Sequence, residues 1–89
     1  MYRITLECDG VPACAGEEAA RDIAEHFKAH YPHESNVNCS FDGERLLLVA
    51  ENDHDPEGRN LMDEFSDVIS ANVEPFDGDI RLIGIERVG

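Results

Sequence analysis

The sequence predicts an α+β domain in which residues 1–89 build one four-stranded antiparallel sheet, strand order 4-1-3-2, with two helices on one face. Three observations predict it. Apolar and polar residues alternate from Tyr2 to Cys8 and again from Asn36 to Asp42. An unbroken apolar run, Leu46 to Ala50, lies between Arg45 and Glu51. Two apolar stripes at helical spacing follow the first and third of these segments.

Tyr2, Ile4, Leu6 and Cys8 share one face of the first strand, and Arg3, Thr5 and Glu7 the other. Asp9-Gly10-Val11-Pro12 ends it. Ala20, Ile23, Ala24, Phe27 and Tyr31 mark a helix over Glu17 to Tyr31, with Glu17 and Glu18 at its positive end and Pro32 as its stop. Val37, Cys39 and Phe41 alternate in a second strand. Asp42-Gly43 reads as a two-residue hairpin turn, which would set Phe41 opposite Glu44, Cys39 opposite Leu46 and Val37 opposite Leu48. Leu46, Leu48 and Ala50 then face the core, and Leu47 and Val49 do not. Asp55-Pro56-Glu57 reads as a cap opening a second helix at Pro56, whose stripe is Leu61, Phe65, Val68 and Ile69. Pro75-Phe76-Asp77-Gly78 is a loop, and Ile80 to Val88 is the last strand.

The order β-α-β-β-α-β resembles the ferredoxin-like fold over nearly the whole chain, two split β-α-β units with right-handed crossovers. The resemblance is one of architecture and implies no single activity. The net charge of −13, from 20 acids against 7 bases, argues against nucleic acid and anionic membrane as partners. RNA binders of this architecture carry stacking aromatics on the central strands, where this chain has Leu47 and Val49. Acylphosphatases place an arginine at the start of the first helix; Cys8 to Cys14 contains none. No apolar run reaches membrane-spanning length and no signal peptide is evident, so the expected compartment is the cytoplasm, with the three cysteines reduced. One lysine among so many acids suits a high-salt cytoplasm, because salt screens self-repulsion.

The sheet face away from the helices is the expected interaction surface. Strands one and three set Arg3 near Glu51 and Glu7 near Arg45. Strand four is expected to turn Arg81, Ile83, Ile85 and Arg87 the same way; the opposite parity would expose Ile80, Leu82 and Glu86. The result is an apolar strip of Leu47, Val49, Ile83 and Ile85 beside Thr5, rimmed by Arg3, Arg45 and Arg81, which is the anatomy of an association surface.

Three other constellations carry chemistry. Cys8 and Cys14 flank the first loop, as the thiols of heavy-metal carrier domains of this fold do, but at Cys-x5-Cys spacing rather than Cys-x-x-Cys. His26 and His30 lie one helical turn apart, with His33 following just past Pro32; the candidate metal ligands are His26 and His30 or, in the first loop, Cys14. Asp53-His54-Asp55-Pro56-Glu57-Gly58 with Glu64 approaches a calcium-loop pattern, but a helix opening at Pro56 would leave nothing to wrap an ion.

The sequence therefore points to a binding or assembly domain, a homodimer or a complex with a protein partner through the open face, with a small ligand there as another occupant. No catalytic residue or cofactor is assigned. The alternatives are a small dimeric enzyme with a His or Cys in a cleft, and a metal-handling domain using Cys8 and Cys14 or His26 and His30.

Overall fold

The two central strands set the frame. In the computed structural model, which describes residues 1–73, 76 and 78–88, β1 (Tyr2–Cys8) and β3 (Leu46–Asn52) pair antiparallel with Ile4 opposite Ala50, Leu6 opposite Leu48 and Cys8 opposite Leu46. All six side chains are shut off from solvent. Fully burying a Leu or Ile contributes roughly 1.5–3 kcal/mol, so this ladder, with the helices on it, is the main stabilising unit. β2 (Ser35–Phe41) and β4 (Ile80–Arg87) flank it, giving the order β2-β3-β1-β4. This is the ferredoxin-like plait. Of the expected loop 75–78, Pro75 and Asp77 lie outside the described residues.

The first helix, α1 (Gly16–His30), follows one 3-10 turn and buries Ala19, Ala20, Ile23 and Phe27. Tyr31 N–H donates to Phe27 O at 2.9 Å, closing the last turn before Pro32. α2 (Arg59–Asn72) buries Leu61, Phe65, Val68 and Ile69 against the same sheet face.

The hairpin differs from the expected register by two residues. Phe41 lies opposite Leu46 and Cys39 opposite Leu48. The connection is a four-residue loop rather than two: Asp42 N–H donates to Arg45 O, and Asp42 Oδ1 accepts from the N–H of Glu44 at 2.9 Å and of Arg45 at 2.7 Å. The aspartate's side chain builds its own turn, so the strands close one pair earlier. A two-residue shift preserves facing, and the core assignment of Leu46 and Leu48 is unaffected.

α2 also starts later than Pro56. Asp55 to Gly58 form a turn, with Gly58 N–H donating to Asp55 O at 3.2 Å, and Gly58 takes a φ of 75°. Asp55 still caps the helix, but from three residues before its N-cap: the buried Oδ2 accepts Leu61 N–H at 3.0 Å. A Cβ on Gly58 would lie 3.3 Å from both Ile4 and Leu82. Gly58→Ala combines a left-handed backbone with a crowded site, and is expected to lower stability by about 1–2 kcal/mol in urea unfolding.

Candidate functional site

The helices cover one sheet face. On the other, β3 presents Leu47, Val49 and Glu51 after Arg45, and β1 presents Arg3, Thr5 and Glu7. Leu47, Val49 and Thr5 are half-buried by their neighbours. At one end of the strip, Glu51 accepts from Arg3 Nε at 3.0 Å and from Asn36 Nδ2 at 3.1 Å. Asn36 reaches it through a bulge in β2: the register passes from Ser35↔Glu51 to Asn38↔Val49, and Asn36 adopts a φ of 49°. Asparagine tolerates that left-handed conformation better than most residues. At the other end, Arg81 Nη2 donates to Glu7 Oε1 at 2.9 Å, and Arg45 Nε lies 3.6 Å from the same oxygen. Arg81 also donates to Asp9 Oδ2 at 3.1 Å. The Asn36 amide, then the Arg3 guanidinium, hold the Glu51 carboxyl below its usual range.

One member of the expected strip lies elsewhere. β1 and β4 pair as Leu6↔Leu82 and then Thr5↔Gly84, so Ile83 is an extra residue, a β-bulge. Before it, Arg81 faces out opposite Glu7, as alternation predicts. Beyond it the parity reverses. Ile85 lies opposite Ile4 and packs on the core, while Gly84 and Glu86 take the outer positions opposite Thr5 and Arg3. Arg87 is likewise drawn off the outer row, opposite Tyr2. Ile83 remains 54% exposed, and a Cβ on Gly84 would meet nothing within 4 Å. The strip is thus Leu47, Val49 and Ile83, without Ile85.

The expected metal ligands lie at two places. His26 and His30 are neighbours, ring centroids 4.7 Å apart, and His26 Nδ1 lies 3.3 Å from Asn72 Nδ2. Cys14 precedes α1 and His30 ends it, so the length of the helix, roughly 22 Å, separates them. Cys8 is buried, donates to Asp9 O, and has its thiol pushed up to about 12 by burial and then by Asp9. Burial also pushes Cys39 up to about 12. Exposed Cys14 borders a concavity of about 400 Å³ whose other lining residues are Ala13, Glu17, Phe41, Asp42 and Gly43. No histidine is among them, so Cys14 has no imidazole beside it in this concavity.

A polar cluster forms instead at the end of the sheet where β2 begins and β3 stops. His33 and Glu34 close the α1–β2 connection, His54 follows β3, and Glu64 lies on α2. His33 Nε2 is 2.8 Å from Glu64 Oε2 and 3.4 Å from Glu34 Oε2. The His33 and His54 rings are 5.4 Å apart. Asn52, fully buried, donates to Glu34 Oε1 at 2.8 Å, and its Oδ1 accepts from the N–H groups of His54 and Asp55. Burial pushes the Glu34 carboxyl up, opposed by the Asn52 hydrogen bond and reinforced by the Glu64 charge. The hydrogen bond to Glu64 raises His33. His54 and Glu64 entered the sequence reading only through the calcium-like pattern, which the helix over Arg59–Asn72 breaks. Two signals could have found the cluster. Asn52 shares the core parity of Leu48 and Ala50, and a buried amide requires partners. Antiparallel pairing of β2 with β3 also forces residues just before Ser35 next to those just after Glu51.

The chain matches no protein-family model and no curated protein sequence.

Native protein should react with a thiol reagent at neutral pH at one cysteine, Cys14, and at all three once unfolded; fast reaction of two or more in the native state would contradict the placement of Cys8 and Cys39. Glu51 gives a pH prediction. Its carboxyl is held down in the folded state, so its contribution is present above about pH 4.5 and is lost as pH falls through the folded value. Glu51→Gln should therefore destabilise at neutral pH and have little effect in acid, measured by urea unfolding at both pH values.

Proposed function

We propose that the domain is an assembly module in which a second copy of the chain packs on the open sheet face. The observation that carries this reading is the charge arrangement. The chain has 7 bases against 20 acids, and Arg3, Arg45 and Arg81 stand on this face, each beside an acid. The face is close to neutral in a strongly acidic molecule, so two copies meet there with the least repulsion. Glu7 and Glu51 already have arginine partners, so contact leaves neither of these two charges unpaired. Leu47, Val49 and the exposed Ile83 supply the apolar centre, and the pairs supply the rim.

The remaining surface keeps its excess of acids, so two copies still repel at long range. Salt shortens that repulsion to about 8 Å at physiological ionic strength and about 3 Å at 1 M. Association is accordingly expected to tighten as salt is raised, as an acidic protein suited to concentrated salt would require. Sedimentation equilibrium should show a monomer–dimer equilibrium that shifts to dimer between low and high salt. Val49→Glu, which places a charge in the centre of the strip, should yield monomer at all salt concentrations with the fold intact by circular dichroism. A strict monomer at millimolar protein concentration and high salt would overturn the reading.

A further inference from the structure

We infer that His33, Glu34, His54 and Glu64 form a binding site for a borderline divalent cation of the zinc class. The site is separate from the sheet face, and the inference goes beyond the assembly reading.

The ligand atoms of His33, Glu34 and His54 all lie within 4.8 Å of one another. The Glu34 side chain is 0% exposed, yet its Oε2 has no hydrogen-bond partner among the described residues and is directed at His33 Nε2, 3.4 Å away. Glu64 Oε1, also buried, is without a partner as well. A buried carboxylate oxygen with no donor is costly, and here the Glu34 and Glu64 carboxyls lie against each other and against one imidazole, an arrangement that a shared proton or a cation relieves. The other oxygen of Glu34 is fixed by Asn52, which also holds the backbone of His54. That is how an outer residue orients metal ligands.

The two separations from His33 suit a small ion. Ligands at zinc's bond lengths stand ~3.3–3.4 Å apart around a tetrahedron. The His33–Glu34 separation, 3.4 Å, already has that value, and the His33–Glu64 contact, 2.8 Å, is a hydrogen bond that would open by about half an ångström. The ion takes the place of the proton that His33 Nε2 and Glu64 share, the imidazole keeping its proton on Nδ1. Entry is open, because the His33 and His54 side chains are 46% and 38% exposed over the buried floor of Glu34. Two imidazoles select zinc, cobalt or nickel over magnesium and calcium, which prefer all-oxygen shells. The bound ion would join the α1–β2 connection to the β3–α2 connection and to α2.

Untagged protein stripped with chelator and titrated with zinc in a calorimeter should bind one ion per chain, and cobalt should give the visible bands of a four-coordinate N/O site. His54→Ala changes an exposed side chain and should keep the fold while weakening zinc binding more than tenfold; Glu34→Gln, which retains the amide partner of Asn52, should do the same. A chain with both His26 and His30 changed to Ala should bind like the wild type. Zinc should raise the melting temperature of the wild type and not that of His54→Ala, whereas magnesium and calcium should raise neither. Absence of zinc binding at 100-fold molar excess would overturn the inference. So would binding that survives both His54→Ala and Glu34→Gln, or that disappears with His26 and His30.

Discussion

The β1–β3 ladder is the constraint on which everything else in this molecule depends. Its inner row, Ile4, Leu6 and Cys8 against Ala50, Leu48 and Leu46, is fully buried and receives both helices. Because side chains alternate strictly along a strand, fixing that row fixes the outer row with it: Arg3, Thr5 and Glu7 against Glu51, Val49 and Leu47. The outer row is apolar only at its middle. Each of its charged ends is neutralised across the ladder, and the flanking strands complete the pairing with Asn36 and Arg81.

Both edge strands depart from regular alternation, and both departures serve the face. The bulge in β2 turns Asn36 toward Glu51. The bulge in β4 keeps Arg81 beside Glu7 on the outer side while returning Ile85 to the core, opposite Ile4. A regular β4 would place Ile85 outside and leave Ile4 without that neighbour. The same inner row, extended by one residue, ends in Asn52, and there the core gives way to the cluster of Glu34, His33, His54 and Glu64. The open face and the polar cluster are thus two products of one strand, its outer middle and its inner end.

Much of this was legible from residues. The strands and helices, their order, the core row and the Arg3–Glu51 and Glu7–Arg45 pairs follow from alternation and helical spacing. Other features were not, and three of them show why. The hairpin loop lengthened because Asp42 bonds its own backbone, a side-chain choice that the Asp-Gly pair alone does not reveal. The β4 bulge inserts one residue into a sequence whose apolar run, Leu82-Ile83-Gly84-Ile85, fits either parity, so Ile85 could be assigned only once its partner was known. The cluster draws four side chains from two connections and a helix, and each looked ordinary where it stood. Asn52 was the clue, a polar residue in core register.

The central claim is that the face carrying Leu47 and Val49 is covered by another copy of the chain. The most direct measurement is an isotope-filtered NOE experiment on a high-salt mixture of labelled and unlabelled protein. Intermolecular contacts from the Leu47 and Val49 methyl groups to the same strip of the other copy are the expected result. A dimer whose intermolecular contacts arise from α1, α2 or the strand edges alone, with Leu47 and Val49 silent, would contradict it.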